Sequence, residues 1–175
     1  MRQGERRADS ARLGDIFEIP IDDTRVGYGQ VVAVRVATHA FCMVVFERIF
    51  EMEPPPSLEV VVGSDILLVA NTFDSRIKNG SWTVVGRREP DLSRVPFPAY
   101  KLSVGAIDDV FVVSYDGKRR RRATPEETSV LDFRWDVAPI RLEKALKAFH
   151  GLLPWDDDYA RLGYQHAATR ATIEV

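Results

Sequence analysis

The chain has 175 residues, 45% of them hydrophobic and 29% charged, with a formal charge of -2. That length suits one domain with a substantial core, and the near balance of charge gives no global attraction to nucleic acid or an anionic membrane. The single cysteine, Cys42, excludes an internal disulfide or a multi-cysteine zinc site, and no apolar run approaches the roughly 20 residues that span a bilayer.

Residues 1–12 (MRQGERRADSAR) carry positive charge without the apolar stretch of a secretory signal. They read as a disordered arm before a single globular domain over residues 13–175 in a reduced, cytoplasmic setting. Ile16, Phe17 and Ile19 make a short strand that Pro20 stops, because proline cannot donate to a ladder. Asp22 and Asp23 follow in a polar turn. Gly27-Tyr28-Gly29 has the start of a dinucleotide loop, yet Val32 stands where a third glycine belongs and strand formers follow. The glycines therefore read as a bend or bulge leading into a strand.

Val32, Val34 and Val36 alternate with Ala33, Arg35 and Ala37, the period of a half-buried strand. The short link Thr38-His39-Ala40 pairs it antiparallel with Phe41–Phe50, whose apolar residues occupy both faces, as in a central strand. Cys42 lies in that run and reads as core packing, and His39 as a solvated turn residue. Beyond the loop at Pro54-Pro55-Pro56, Leu58–Val62 and Ile66–Ala70 read as two strands around a Gly63-Ser64-Asp65 turn. The turn lacks the glycine spacing of a nucleophile elbow. Asn79-Gly80 then turns the chain into a strand with Trp82 and Val84 on one face. Trp82 is expected in the core with its N–H bonded, the alternative being a stacking platform for a ligand base.

Val110–Tyr115 and Lys118–Arg122 flank Asp116-Gly117, a strong hairpin signal. Lys118, Arg119, Arg120, Arg121 and Arg122 alternate in direction along a strand, so neither face can be buried comfortably. The preferred reading is a charged edge that deters strand pairing between molecules, and the alternative is an edge that binds phosphates or acids. Thr124-Pro125-Glu126-Glu127 has the form of a capped helix start. A firmer helix spans Pro139–His150, with Leu142, Ala145, Leu146 and Phe149 in one stripe and Glu143 and Lys147 spaced for an exposed ion pair. Gly151 is placed to cap it. Trp155-Asp156-Asp157-Asp158 lacks the glycine and distal glutamate of a calcium loop. It suits either the start of a short helix over Tyr159–Leu162 or an acidic, aromatic patch for a basic partner. His166 stands alone in the tail.

These elements predict a mainly β fold with minor α (α+β): a strongly bent antiparallel sheet or small open β-barrel with one amphipathic C-terminal helix. No local grouping supplies a nucleophile, a base and oxyanion donors together, and no cofactor or metal motif is present.

The motif Gly14-Asp15-Ile16-Phe17-x-Ile19-Pro20, followed by Asp22-Asp23 and Gly27-Tyr28-Gly29-Gln30-Val31, resembles the opening of the immunity protein 26 family of bacterial polymorphic-toxin systems. That family begins with a G-D-x-F-x-x-P strand, an acidic turn and a Y-G-x-G-x-V-like segment. Trp82-Thr83-Val84-Val85-Gly86 is similar to its later W-x-x-I-G segment, with Val85 in place of isoleucine. The resemblance covers residues 13–98, and beyond Leu102 the chain departs from the family pattern. It implies a cytoplasmic, non-enzymatic protein, without cofactor, that binds and neutralises a cognate toxin domain. Candidate toxin contacts are Asp22, Asp23, Tyr28, Trp155, Asp156, Asp157 and Asp158. The alternative is a small β-rich module that reads nucleic acid or a phosphate-bearing ligand through Lys118, Arg119, Arg120, Arg121 and Arg122.

Overall fold

The computed structural model describes residues 10–105 and 109–175, so residues 1–9 of the expected arm lie outside the described residues. In chain order the elements are β1 (Asp15–Pro20), β2 (Arg25–Arg35), β3 (Ala40–Phe46), β4 (Phe50–Glu51), α1 (Leu58–Val62), β5 (Ile66–Thr72) and α2 (Ser75–Lys78). There follow β6 (Thr83–Arg87), β7 (Tyr100–Ser103), β8 (Val110–Val113), β9 (Arg120–Arg122), α3 (Pro125–Val130), α4 (Ile140–Phe149) and α5 (Tyr164–Ala171). This is a mainly β, α+β fold, as the sequence predicts, and no helix among the described residues is long and apolar enough to cross a membrane. The chain forms two compact units: one takes the described residues up to Val95 with Asp136–Leu162, the other Pro96–Trp135 with Gly163–Val175.

The first unit is built on an antiparallel sheet in the order β5-β3-β2-β1-β6, with β4 taking over beside the start of β2 where β3 has ended. Register shifts at Val31/Ala33, Val45/Phe46 and Ile16/Phe17 place bulges in three of its ladders, and each bulge adds local twist. The predicted bulge in β2 therefore exists, but it lies beyond Gly27 and Gly29, which sit within the strand. It also breaks the expected valine alternation: Val31 and Val32 are both buried, while Val34 is exposed and Val36 belongs to a 3-10 turn. The β2–β3 hairpin forms as expected, β3 is buried along its whole length, and Cys42 lies within it.

The glycines of β2 are explained by what lies over them. A Cβ on Gly27 would come within 2.4 Å of Leu146 Cδ2 in α4, and one on Gly29 would lie 2.5 Å from the Phe17 ring. Phe17, directly opposite Gly29 on β1, stacks on Trp82 at 4.9 Å between centroids and 6° between planes. The Trp82 Nε1–H donates to Glu143 on α4 at 3.1 Å. Glycine, phenylalanine and tryptophan thus form one continuous seat for the helix, to which Glu143 of the helix is bonded. Trp82 is 1% exposed, so the core placement holds and stacking on a ligand is closed to it.

Other local expectations are corrected. Leu58–Val62 is a helix, because the Ser57 side chain accepts from Val60 N and starts a helical turn that the run of valines continues. Phe149 is exposed instead of completing the α4 stripe. Glu143 is 6% exposed, not part of a surface pair: besides Trp82 it accepts from Lys147 Nζ at 2.9 Å and from Arg76. Ser10 and Ala11 are held to the buried Asp74, whose carboxylate accepts from Ser10 Oγ at 2.7 Å and Ala11 N at 3.1 Å.

The second unit is a three-stranded antiparallel sheet, β7-β8-β9, with β9 at its edge. Ala99, Val112 and Leu131 form its core, with Ala123, Ile173 and Val175 packed against them. Thr124 and Glu127 make the predicted capping box at α3. Thr124→Ala is expected to lower stability by about 1 kcal/mol, read as a reduced urea midpoint; an unchanged midpoint would mean that the cap contributes nothing. His166 is not solitary: α5 places it 2.6 Å from Asp132, with Arg170 Nε 3.2 Å from the same oxygen.

Candidate partner-binding surface

The acidic turn between β1 and β2 is held by its own first aspartate. Asp22 Oδ1 accepts from Thr24 N at 3.0 Å and Arg25 N at 2.9 Å, while Oδ2 accepts from Arg25 Nε at 2.8 Å and NH2 at 2.6 Å. The Arg25 guanidinium, helped by the Thr24 N–H, holds this carboxyl well below the usual carboxylate range. Asp22 is thereby a structural residue of the turn, and Asp23 stands exposed beside it.

Tyr28 is 2% exposed. Its hydroxyl donates to Glu18 Oε1 at 3.1 Å, its ring meets Phe50 edge-on at 5.7 Å, and burial together with the Glu18 charge pushes its pKa up. As a candidate contact it is corrected: a ring enclosed between β1 and β4 offers no surface to a partner.

The stretch from the last residue of α4 onward has the opposite character. Phe149, Leu152, Leu153 and Trp155 are all exposed, and the chain then runs directly into Asp156, Asp157 and Asp158. Trp155, 48% exposed, packs edge-on against the buried Tyr159 at 5.6 Å, which fixes its ring while leaving much of it open. Asp156 Oδ1 accepts from Asp158 N at 3.0 Å as the 3-10 turn Asp157–Leu162 begins, in place of the expected start at Tyr159. Arg141 lies over the Tyr159 ring at 5.5 Å and 3.6 Å from Asp158. The result is an aromatic and acidic ridge on a fixed support. No hydrogen bond or ion pair among the described residues joins it to the Asp22-Asp23 turn.

A cleft of about 530 Å³ lies elsewhere on the same unit, lined by Glu47, Arg48, Ile49, Val60, Gly63, Ser64, Asp65 and His150. Its walls are tied together. Glu47 N donates to the Asp65 carbonyl at 2.8 Å, and Arg94 donates to the carbonyls of Val62 and Ser64 at 2.6 Å each. His150 Nε2 lies 2.8 Å from the Glu47 carbonyl oxygen. A carbonyl can only accept, so that nitrogen carries the proton. Ser64 Oγ donates to the Val60 carbonyl at 3.0 Å, so its hydroxyl proton is held by the backbone and not by the histidine. Sequence reasoning missed this cleft because its residues come from three separated segments; only Gly63-Ser64-Asp65 stood out, as a turn.

The basic run lies on the second unit, at and before β9. Arg121 makes a two-pronged contact with Glu127 at 2.8 and 2.6 Å and also donates to the Glu174 carbonyl. That guanidinium pulls the Glu127 carboxyl down to about 2. Arg122 pairs with Asp109 at 2.6 Å, and Arg120 and Arg122 both lie over the Phe111 ring, at 5.7 and 6.0 Å. Lys118 reaches Asp116 only at 3.9 Å. Arg119 is exposed and uses its backbone N–H on Ser114 Oγ. Much of the charge is therefore engaged within the unit. Among the described residues no group of His, Cys, Asp and Glu is placed to hold a metal ion.

No curated protein and no solved structure matches the chain. The family model described as immunity protein 26 matches residues 12–108, more than half of the sequence, running from two residues before the Gly14-Asp15 motif through the sheet, Trp82 and β7. The glycine, phenylalanine and tryptophan that seat α4 fall within that span, and the chain belongs to the immunity protein 26 family.

Proposed function

We propose that this protein is a non-enzymatic immunity protein that binds and neutralises a cognate toxin domain of a bacterial polymorphic-toxin system, in the cytoplasm of the cell that makes the toxin. The match to the immunity family over residues 12–108 carries this reading. Stoichiometric inhibition needs a rigid scaffold with exposed anchors and no reaction centre. The exposed ring of Trp155 beside Asp156, Asp157 and Asp158 suits that task, as an aromatic anchor next to charges that steer a basic partner. Asp23 is a second candidate contact, presented on the turn that Asp22 stiffens.

The test is co-purification with the toxin domain encoded beside this gene, its active site disabled, followed by calorimetry. A one-to-one complex is expected. Trp155→Ala should weaken it by about 2 kcal/mol, and Asp157→Asn with Asp158→Asn should slow association most at low salt. Failure of the wild-type proteins to associate would remove the immunity reading. Association unaffected by all three substitutions would move the contact away from the ridge.

A further inference from the structure

We propose that the cleft between Glu47, Asp65 and the C-terminal end of α4 is a socket for one cationic side chain, arginine or lysine, presented by a partner polypeptide. The identification of that polypeptide as a toxin domain rests on the function proposed above; the socket itself rests on the chemistry of its lining.

Two carboxylates, Glu47 and Asp65, line the cleft, and neither forms an ion pair among the described residues. One guanidinium, that of Arg48, opposes them, but it is drawn to the Phe50 ring, 4.6 Å from the centroid, and makes no ion pair. His150, which lines the cleft, is the residue capping α4, so the negative end of a ten-residue helix dipole lies at the cleft wall. The carbonyls at the end of α1 add no such field, because Arg94 already takes those of Val62 and Ser64. The balance favours a cation.

The remaining lining decides which kind. Val60 is 45% exposed and Ile49 is half-buried, giving the cleft an apolar wall next to its carboxylates. A bare metal ion makes no use of such a wall, and no three-ligand set for one exists among the described residues. Arginine and lysine combine a methylene stem with a charged head, so the stem can lie on Val60 and Ile49 while the head meets Glu47 and Asp65. The cleft, about 530 Å³ in volume and open to solvent, has room for one such side chain. Its walls are braced before any ligand arrives, by the Glu47–Asp65 backbone bond, the His150–Glu47 contact and the Arg94 clamp. The backbone of the wall is therefore set in advance, and the ordering left to oppose binding is that of the exposed Glu47 and Asp65 side chains.

The probe is N-acetyl-arginine amide, titrated into the full-length protein and followed by amide chemical shifts. N-acetyl-lysine amide, N-acetyl-glutamate amide and magnesium chloride serve as comparisons. The arginine and lysine probes are expected to give saturable shifts confined to residues 47–49, 60–65 and 150, weakened by salt. Glu47→Gln with Asp65→Asn should weaken binding about tenfold through loss of the charge-assisted contacts. Arg48→Ala should tighten it severalfold by removing the opposing charge, an effect that a purely structural arginine would not produce. Absence of local shifts, equal shifts with the glutamate probe or magnesium, or unchanged binding in the double variant would each overturn the socket. With the toxin domain, a wild-type complex that is insensitive to Glu47→Gln with Asp65→Asn also overturns it and leaves the immunity reading intact. Arginine binding that persists where no toxin complex forms supports the socket and overturns the immunity reading instead.

Discussion

Gly29→Ala is expected to lower stability by about 3 kcal/mol or more, or to prevent folding, whereas Gly27→Ala costs about 1–2 kcal/mol. The two glycines sit two residues apart on one face of β2, and both are crowded, but by different atoms. A Cβ at Gly29 meets the Phe17 ring at 2.5 and 2.6 Å and the Val44 carbonyl oxygen at 2.7 Å. The ring cannot yield freely, because Trp82 is stacked against it. The carbonyl cannot yield either, because it belongs to β3, the strand that β2 pairs with. At Gly27 the nearest obstacle is Leu146 Cδ2 at 2.4 Å, the far end of a flexible side chain. Urea titrations of both variants check the ordering. In a Leu146→Ala background, Gly27→Ala should become neutral or stabilising, since its methyl then fills part of the space vacated. A Gly29→Ala protein with a wild-type midpoint would show that Phe17 does not lie over that strand.

The same positions show what could be read from the sequence and what could not. The strand ending at Pro20, the β2–β3 hairpin, the cap at Thr124 and the helix after Pro139 were legible because each is set by residues close together in the chain. The run Leu58–Val62 misled because consecutive β-branched residues suggest a strand, while Ser57 supplies a helix cap that five residues of pattern cannot outweigh. Glu143 misled for a different reason. Its spacing from Lys147 fits a surface pair, and only the fold brings Trp82, 61 residues away, to the same carboxylate. Tyr28 reads as a surface contact in the sequence because the partners that enclose it, the half-buried Glu18 and Phe50, come from strands on either side. Of the candidate surface, the Trp155–Asp158 ridge was visible as composition. The cleft was not, since Glu47, Asp65 and His150 are brought to one place only when β3, α1 and α4 have assembled.

Removing the Trp82 side chain should be as damaging as crowding Gly29, and the pH dependence of a gentler variant tests the reason. Trp82→Ala deletes a fully buried ring, the stack on Phe17 and the donor to Glu143, for an expected loss of about 3–5 kcal/mol. Trp82→Phe keeps an aromatic ring against Phe17 but deletes the N–H and the rest of the five-membered ring, so it should cost at least the ~1–2 kcal/mol of the lost hydrogen bond and less than Trp82→Ala. Glu143 is the electrostatic half of the arrangement. Burial acts against its charge, but hydrogen bonds from Lys147, Trp82 and Arg76 outweigh burial and leave its pKa below the ordinary 4.5. A carboxylate with a lowered folded pKa contributes stability that is fully present above the unfolded value and is lost as pH falls through the folded one. The stability difference between wild type and Glu143→Gln should therefore be constant at neutral pH and shrink on acidification below about 4.5. Denaturant titrations of the pair across that range measure it. A difference that stays constant down to the acid limit would mean that Glu143 holds α4 by shape and hydrogen bonding alone, without its charge.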